Sequence, residues 1–86
     1  MTTNLISIKF KLFAKLRELV DKDIITLEIQ NGTSVRDALQ LLSTNYPILE
    51  STIKISRVSK NCTYISLSTI LDSNTELIII PPISGG

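Results

Sequence analysis

One helix laid across one face of a mixed four- to five-stranded sheet, an α+β arrangement, is what this chain of 86 residues predicts. Three observations point there. Ile6-Ser7-Ile8-Lys9-Phe10-Lys11-Leu12 alternates apolar and polar without error, the period of a half-buried strand. Val35, Ala38, Leu39 and Leu42 fall at i, i+3, i+4 and i+7, a single helical stripe. Leu77-Ile78-Ile79-Ile80 is a continuous apolar run ended by Pro81, the mark of a strand covered on both faces.

The remaining elements follow in order. Met1 to Asn4 is a polar lead-in. In the first strand Ile6, Ile8, Phe10 and Leu12 should face the core, and continued alternation puts Phe13 on the outer face beside Ser7, Lys9 and Lys11. Leu16, Leu19 and Val20 suit a turn or short helix, with Arg17 and Glu18 on its wet side. Ile25-Thr26-Leu27-Glu28-Ile29 alternates again and should pair antiparallel with the first strand. Asn31-Gly32 marks a turn. Ser34, with Asp37 three residues on, has the pattern of a helix N-cap, and the helix should run from about Val35 to Thr44, stopped by Asn45 and Pro47. Leu49, Ile53 and Ile55 are expected to anchor an irregular connection or a last helical turn. Val58 to Lys60 and Thr63 to Ile65 read as two short strands around a tight turn at Asn61-Cys62. Leu67, Ile70 and Leu71 read as a core-anchored loop, and Asp72-Ser73-Asn74-Thr75 as a turn.

The most apolar strand belongs in the middle of the sheet, beside the first strand. Parallel pairing of those two needs a crossover, which the helix supplies, right-handed by rule. That is the β-grasp, or ubiquitin-like, arrangement over residues 1–80, with residues 81–86 as an extended tail. A ferredoxin-like sandwich would need a second helix of comparable length. With the helix on one face, the other face is wet, yet Phe13 and one parity of the last strand (Ile78 and Ile80, or Leu77 and Ile79) would lie on it. Adjacent apolar groups there form a patch suited to a protein interface, unless a loop or a second copy covers it.

Composition removes several function classes. Net charge is +1 and no basic run is present, so no field for nucleic acid exists. Histidine is absent, which removes the usual general base and the commonest metal ligand. Cys62 is the one cysteine, so no disulfide framework or cysteine metal site is expected. No apolar run has the length of a membrane span and no signal-peptide pattern opens the chain, so a soluble cytoplasmic domain is expected.

Attention then falls on Pro81-Pro82-Ile83-Ser84-Gly85-Gly86. Two of the three glycines are the final two residues. Such an end is bare backbone that could enter a narrow slot, and the two prolines favour an extended stalk that lifts it clear of the body. Chemistry at the Gly86 carboxylate is one reading; a frayed end of small residues is the other.

Phe10-Lys11-Leu12-Phe13-Ala14-Lys15-Leu16-Arg17-Glu18, Gly32-Thr33-Ser34-Val35, Tyr46-Pro47-Ile48-Leu49, the Val58 to Ile65 hairpin and the final Pro-Pro-Ile-Ser-Gly-Gly together resemble the sulfur-carrying small subunits of molybdopterin synthase. Wider relatives of that family are sulfur carriers of thiamine synthesis and tRNA thiolation and small protein modifiers, all of β-grasp fold. The sequence departs from the family pattern at Asn74-Thr75, where Gly-Asp is usual, and at Ser59 and Lys60, where small apolar residues are usual.

The resemblance implies a protein that is not an enzyme on its own and binds no cofactor or metal. A ubiquitin-activating-type enzyme would use ATP to adenylate Gly86, and a sulfur donor would convert the acyl-adenylate to a thiocarboxylate. Gly85 would give clearance, and the tail of Pro81, Pro82, Ile83 and Ser84 would insert into the large synthase subunit, in a working heterotetramer. There sulfur would pass to a pterin precursor of the molybdenum or tungsten cofactor. Phe13, Tyr64 and Ile80 match an apolar patch that docks both partners, and Arg17 a charged position next to it. Neither a membrane nor a nucleic acid is an expected partner. A modifier that forms isopeptide bonds through Gly86 would share the activation step. Cys62, far in sequence from the tail, is read as an inert small residue and not as the sulfur bearer.

Overall fold

The computed structural model describes residues 4–82. The residues Ile83, Ser84, Gly85 and Gly86 of the expected tail lie outside the described residues. Strand β1 (Leu5–Leu12) buries Ile6, Ile8, Phe10 and Leu12, as the alternation requires. A short helix α1 (Lys15–Val20) follows, anchored by buried Leu16, with Leu19 and Val20 partly covered. Strand β2 (Ile24–Gln30) returns antiparallel to β1, with Ile25 and Ile29 buried and Leu27 half-buried.

The main helix α2 (Val35–Asn45) runs one residue past the expected end and buries the face containing Val35, Ala38, Leu39 and Leu42. Its start accounts for three of the donors that a helix N-terminus leaves open. The Val35 N–H donates to the Thr69 carbonyl at 2.9 Å, the Arg36 N–H to the Leu67 carbonyl at 2.9 Å, and the Asp37 N–H to Ser34 Oγ at 3.1 Å. Replacing Ser34 by Ala is therefore expected to cost about 1 kcal/mol, read as a lower urea midpoint with an unchanged slope.

The bonds to Thr69 and Leu67 also correct a side-chain reading. Only Leu71 of the Leu67, Ile70 and Leu71 group is buried. The loop is held chiefly by its backbone, through α2 and through a two-residue ribbon in which β3 (Thr33–Ser34) pairs with β6 (Ile70–Leu71).

After α2 a 3-10 turn (Pro47–Leu49) and a short helix α3 (Glu50–Lys54) bury Leu49 and Ile53. Ile55, expected as a third anchor, is instead 64% exposed. Strands β4 (Arg57–Lys60) and β5 (Thr63–Tyr64) form the expected hairpin, extended by an Ile65 N–H to Val58 carbonyl bond of 3.0 Å. Its turn holds Asn61 at φ 51° and Cys62 at φ 64°. Two positive φ values suit the right-handed twist of a hairpin, but a Cβ in that conformation is strained. Cys62 is exposed rather than packed as a small hydrophobe. Cys62→Gly relieves the strain and is expected to stabilise the domain by about 1 kcal/mol, measured as a higher thermal midpoint.

Strand β7 (Thr75–Ile80) lies between β1, to which it is parallel, and β4, to which it is antiparallel, in a five-stranded order β2-β1-β7-β4-β5. Leu77 and Ile79 are fully buried against α2 and its neighbours, while Ile78 and Ile80 point to the other face and are half-buried. Four apolar residues in a row are needed because this strand has cover on one face and a partly covered apolar stripe on the other. The β1–β7 pairing, with α2 in the connection between them, is the β-grasp expected from the sequence.

Candidate functional site

The tail leaves the sheet at Ile80. Pro81 has no N–H to continue either ladder, so the strand stops there, and the prolines fix φ as the chain departs. Pro81 is half-buried and Pro82 exposed. Because β7 is bonded on both sides, the point of departure is fixed by two neighbouring strands rather than by a loop.

Directly paired residues of neighbouring strands share a face, so the register maps the outer surface of the sheet at this end. Ile24 pairs with Lys11, Lys11 with Ile78, Ile78 with Ser59, and Ser59 with Tyr64. The next rung holds Ile80 opposite Arg57. Ile80 and Tyr64 thus lie on one face, Tyr64 59% exposed.

Phe13 lies one residue past the last pair of β1, Leu12 with Ile79. It therefore sits beyond the strand rather than on it, and the chain turns there with Ala14 at φ 50°. Its ring, 40% exposed, still belongs to the outer side, because Lys11 Nζ stands 5.5 Å from its centre. Arg17 is on α1, paired with Asp23 at 3.7 Å across an exposed surface. Such a pair contributes little to stability.

Sequence reasoning missed two residues here. Ile55, Arg57 and Tyr64 join Ile80, Pro81 and Pro82 around a hollow of about 200 Å³ at the root of the tail, and of these Ile55 and Arg57 were not singled out for the site. The Arg57 guanidinium carbon is 5.4 Å from the centre of the Tyr64 ring, a cation–π contact. Ile78, named with Ile80 as one of two possible outward parities, carries the apolar stripe from Lys11 towards Tyr64. Only the β4–β7 register brings Arg57 beside Ile80; its neighbours in sequence give no sign of it.

Among the described residues no group of three or more His, Cys, Asp or Glu could hold a metal ion. No helix among them is long and apolar enough to cross a membrane. The described site is therefore an apolar stripe with two cations on it and a rigidly rooted tail.

Known proteins share this fold and much of this sequence. The family model described as "ThiS family" matches residues 10–86. The molybdopterin synthase sulfur carrier subunit of Arabidopsis thaliana is 37% identical over 84 residues, covering 98% of this chain and 88% of the relative. The subunit of the same name from Dictyostelium discoideum is 39% identical over 82 residues, covering 91% and 94%. Among solved structures, SAMP1 from Haloferax volcanii superposes with a TM-score of 0.83 at 30% identity, covering 93% of this chain and 99% of that one. The family model and the relatives agree over nearly the whole chain: this protein belongs to the ThiS family.

Proposed function

We propose that the chain is a sulfur carrier, the small subunit of a molybdopterin synthase, and that its reacting group is the Gly86 carboxylate. The observation that carries this reading is the near full-length match to two proteins named as sulfur carrier subunits of that enzyme. A carboxylate is a poor electrophile, so an ATP-using activating enzyme first makes the Gly86 acyl-adenylate and releases pyrophosphate. Attack on the acyl carbon by hydrosulfide released from a donor then breaks the carbon–oxygen bond to AMP and leaves a thiocarboxylate. The large subunit takes up the tail and supplies the acid, base and cationic groups for transfer to the pterin precursor. A chain without histidine suits that division of labour, since it offers a group to be acted on and lacks the commonest general base. Phe13, Tyr64 and Ile80 dock both protein partners, the working complex is a heterotetramer, and the reaction takes place in the cytoplasm.

A second reading has its own support, because the SAMP1 fold is matched closely at 30% identity and a Haloferax volcanii relative is named small archaeal modifier protein 1. In it the same acyl-adenylate is captured by lysine amines. Incubation with ATP, the activating enzyme and a sulfur donor, followed by intact-mass measurement, separates the two. A gain equal to exchange of one oxygen for sulfur supports carriage. High-mass lysine conjugates without that gain support modification, and an unchanged mass removes both.

A further inference from the structure

The hollow at the tail root has a chemical character that specifies what fills it, and the argument rests on the sulfur-carrier reading above. Its walls are Ile55, Tyr64, Ile80, Pro81 and Pro82, with Arg57 as the one charged member. A volume of about 200 Å³ equals several waters at about 30 Å³ each, room for one aliphatic or aromatic side chain. The surrounding sheet face is positive. Lys11 and Arg57 stand on its two outer rungs, and the nearest acidic residue of the face, Glu76, is one rung further away and paired with Lys9.

The ion pair found among the described residues is Arg17 with Asp23, so neither Lys11 nor Arg57 has a carboxylate there. Each is instead held over an aromatic ring, Phe13 or Tyr64. A guanidinium laid on a ring keeps its planar fork oriented and is more weakly hydrated than an ammonium, so it meets a carboxylate at lower cost.

We propose that this hollow receives one apolar side chain of the large synthase subunit, and that a carboxylate beside that side chain pairs with Arg57. Other occupants fit worse. A second copy docked by a twofold axis would bring the same cations together, and like charges across an interface are unfavourable. Nucleic acid needs a stripe of phosphate-spaced cations, and the hollow is mostly apolar.

Calorimetric binding of the chain to the large molybdopterin synthase subunit, over a range of NaCl concentrations, tests this. Arg57→Glu is expected to weaken binding about tenfold to a hundredfold and to flatten its salt dependence. Arg57→Lys should recover part of the affinity, because it keeps the charge and loses the fork. Ile55→Ser should weaken binding without changing the salt slope, and Lys9→Glu should leave affinity near wild type. Arg57 and Ile55 are exposed, so thermal unfolding should stay unchanged and report that the variants fold. Wild-type affinity and salt slope in Arg57→Glu would overturn the inference alone. So would sedimentation showing that the chain self-associates through Ile55 and Arg57. A wild-type chain that does not bind the large subunit overturns the proposed function, and the inference with it.

Discussion

Removing Gly86 is expected to reduce thiocarboxylate formation to background while leaving thermal unfolding unchanged. The tail is rooted at the end of a strand paired with β1 as far as Ile79 and with β4 at Ile80, so its greatest reach is set by residue count from Ile80. Losing one residue shortens that greatest reach by about 3.3–3.6 Å. A misplacement of about 1 Å can already cost about a hundredfold in rate. The described sheet ends at Ile80, so the cooperative core should not register the deletion. Pyrophosphate release in the presence of the activating enzyme and ATP reads the effect, and retention of wild-type release would show that reach is not what the tail provides.

Phe10→Ala is expected to bring the domain close to unfolding. Phe10 is fully buried at the middle of β1, paired in register with Ile25 on one side and Leu77 on the other, both of them buried. Truncating a buried Phe costs about 3–5 kcal/mol through lost burial and the cavity left behind. Natural domains have about 5–15 kcal/mol in total, and a chain this short sits toward the lower end because it buries a smaller share of its surface. A urea titration should show a midpoint near zero or an incomplete native baseline. A loss below about 1 kcal/mol would mean that the site collapses around the gap, against the dense packing expected of such a core.

The parts of the fold that were legible in the sequence are those with a period. β1 and α2 each repeat their apolar residues often enough to fix a face, and β7 is unmistakable because four apolar residues precede a proline. Ser34 was legible because its capping role is local, needing only the backbone three residues on. The β3–β6 ribbon was not legible, since two residues on a strand have no period to read and the pairing joins Thr33 to Leu71 across the chain. Ile55 was misjudged because an isolated isoleucine after Leu49 and Ile53 looks like a third anchor, yet the helical turn ends at Lys54 and turns it outward.

The site divides in the same way. Ile80 and Tyr64 share a face; the alternation alone left either parity of the last strand open, and the register turns Ile78 and Ile80 outward. Phe13 reaches the outer side from beyond the strand end rather than from the strand itself. Arg57 was invisible because its significance is a matter of register: it acquires Ile80 and Tyr64 as neighbours only once β4 is placed between β7 and β5.

A single labelling experiment decides whether sulfur is carried at Gly86, as proposed above. The chain and its Cys62→Gly variant are incubated with ATP, the activating enzyme and heavy-isotope sulfide, and fragment-ion mass spectrometry locates the label. Label on Gly86 in both proteins is the expected outcome. Label on Cys62 that disappears in the variant, or none on the final glycine of either protein, would mean the terminal carboxylate is not the carrier.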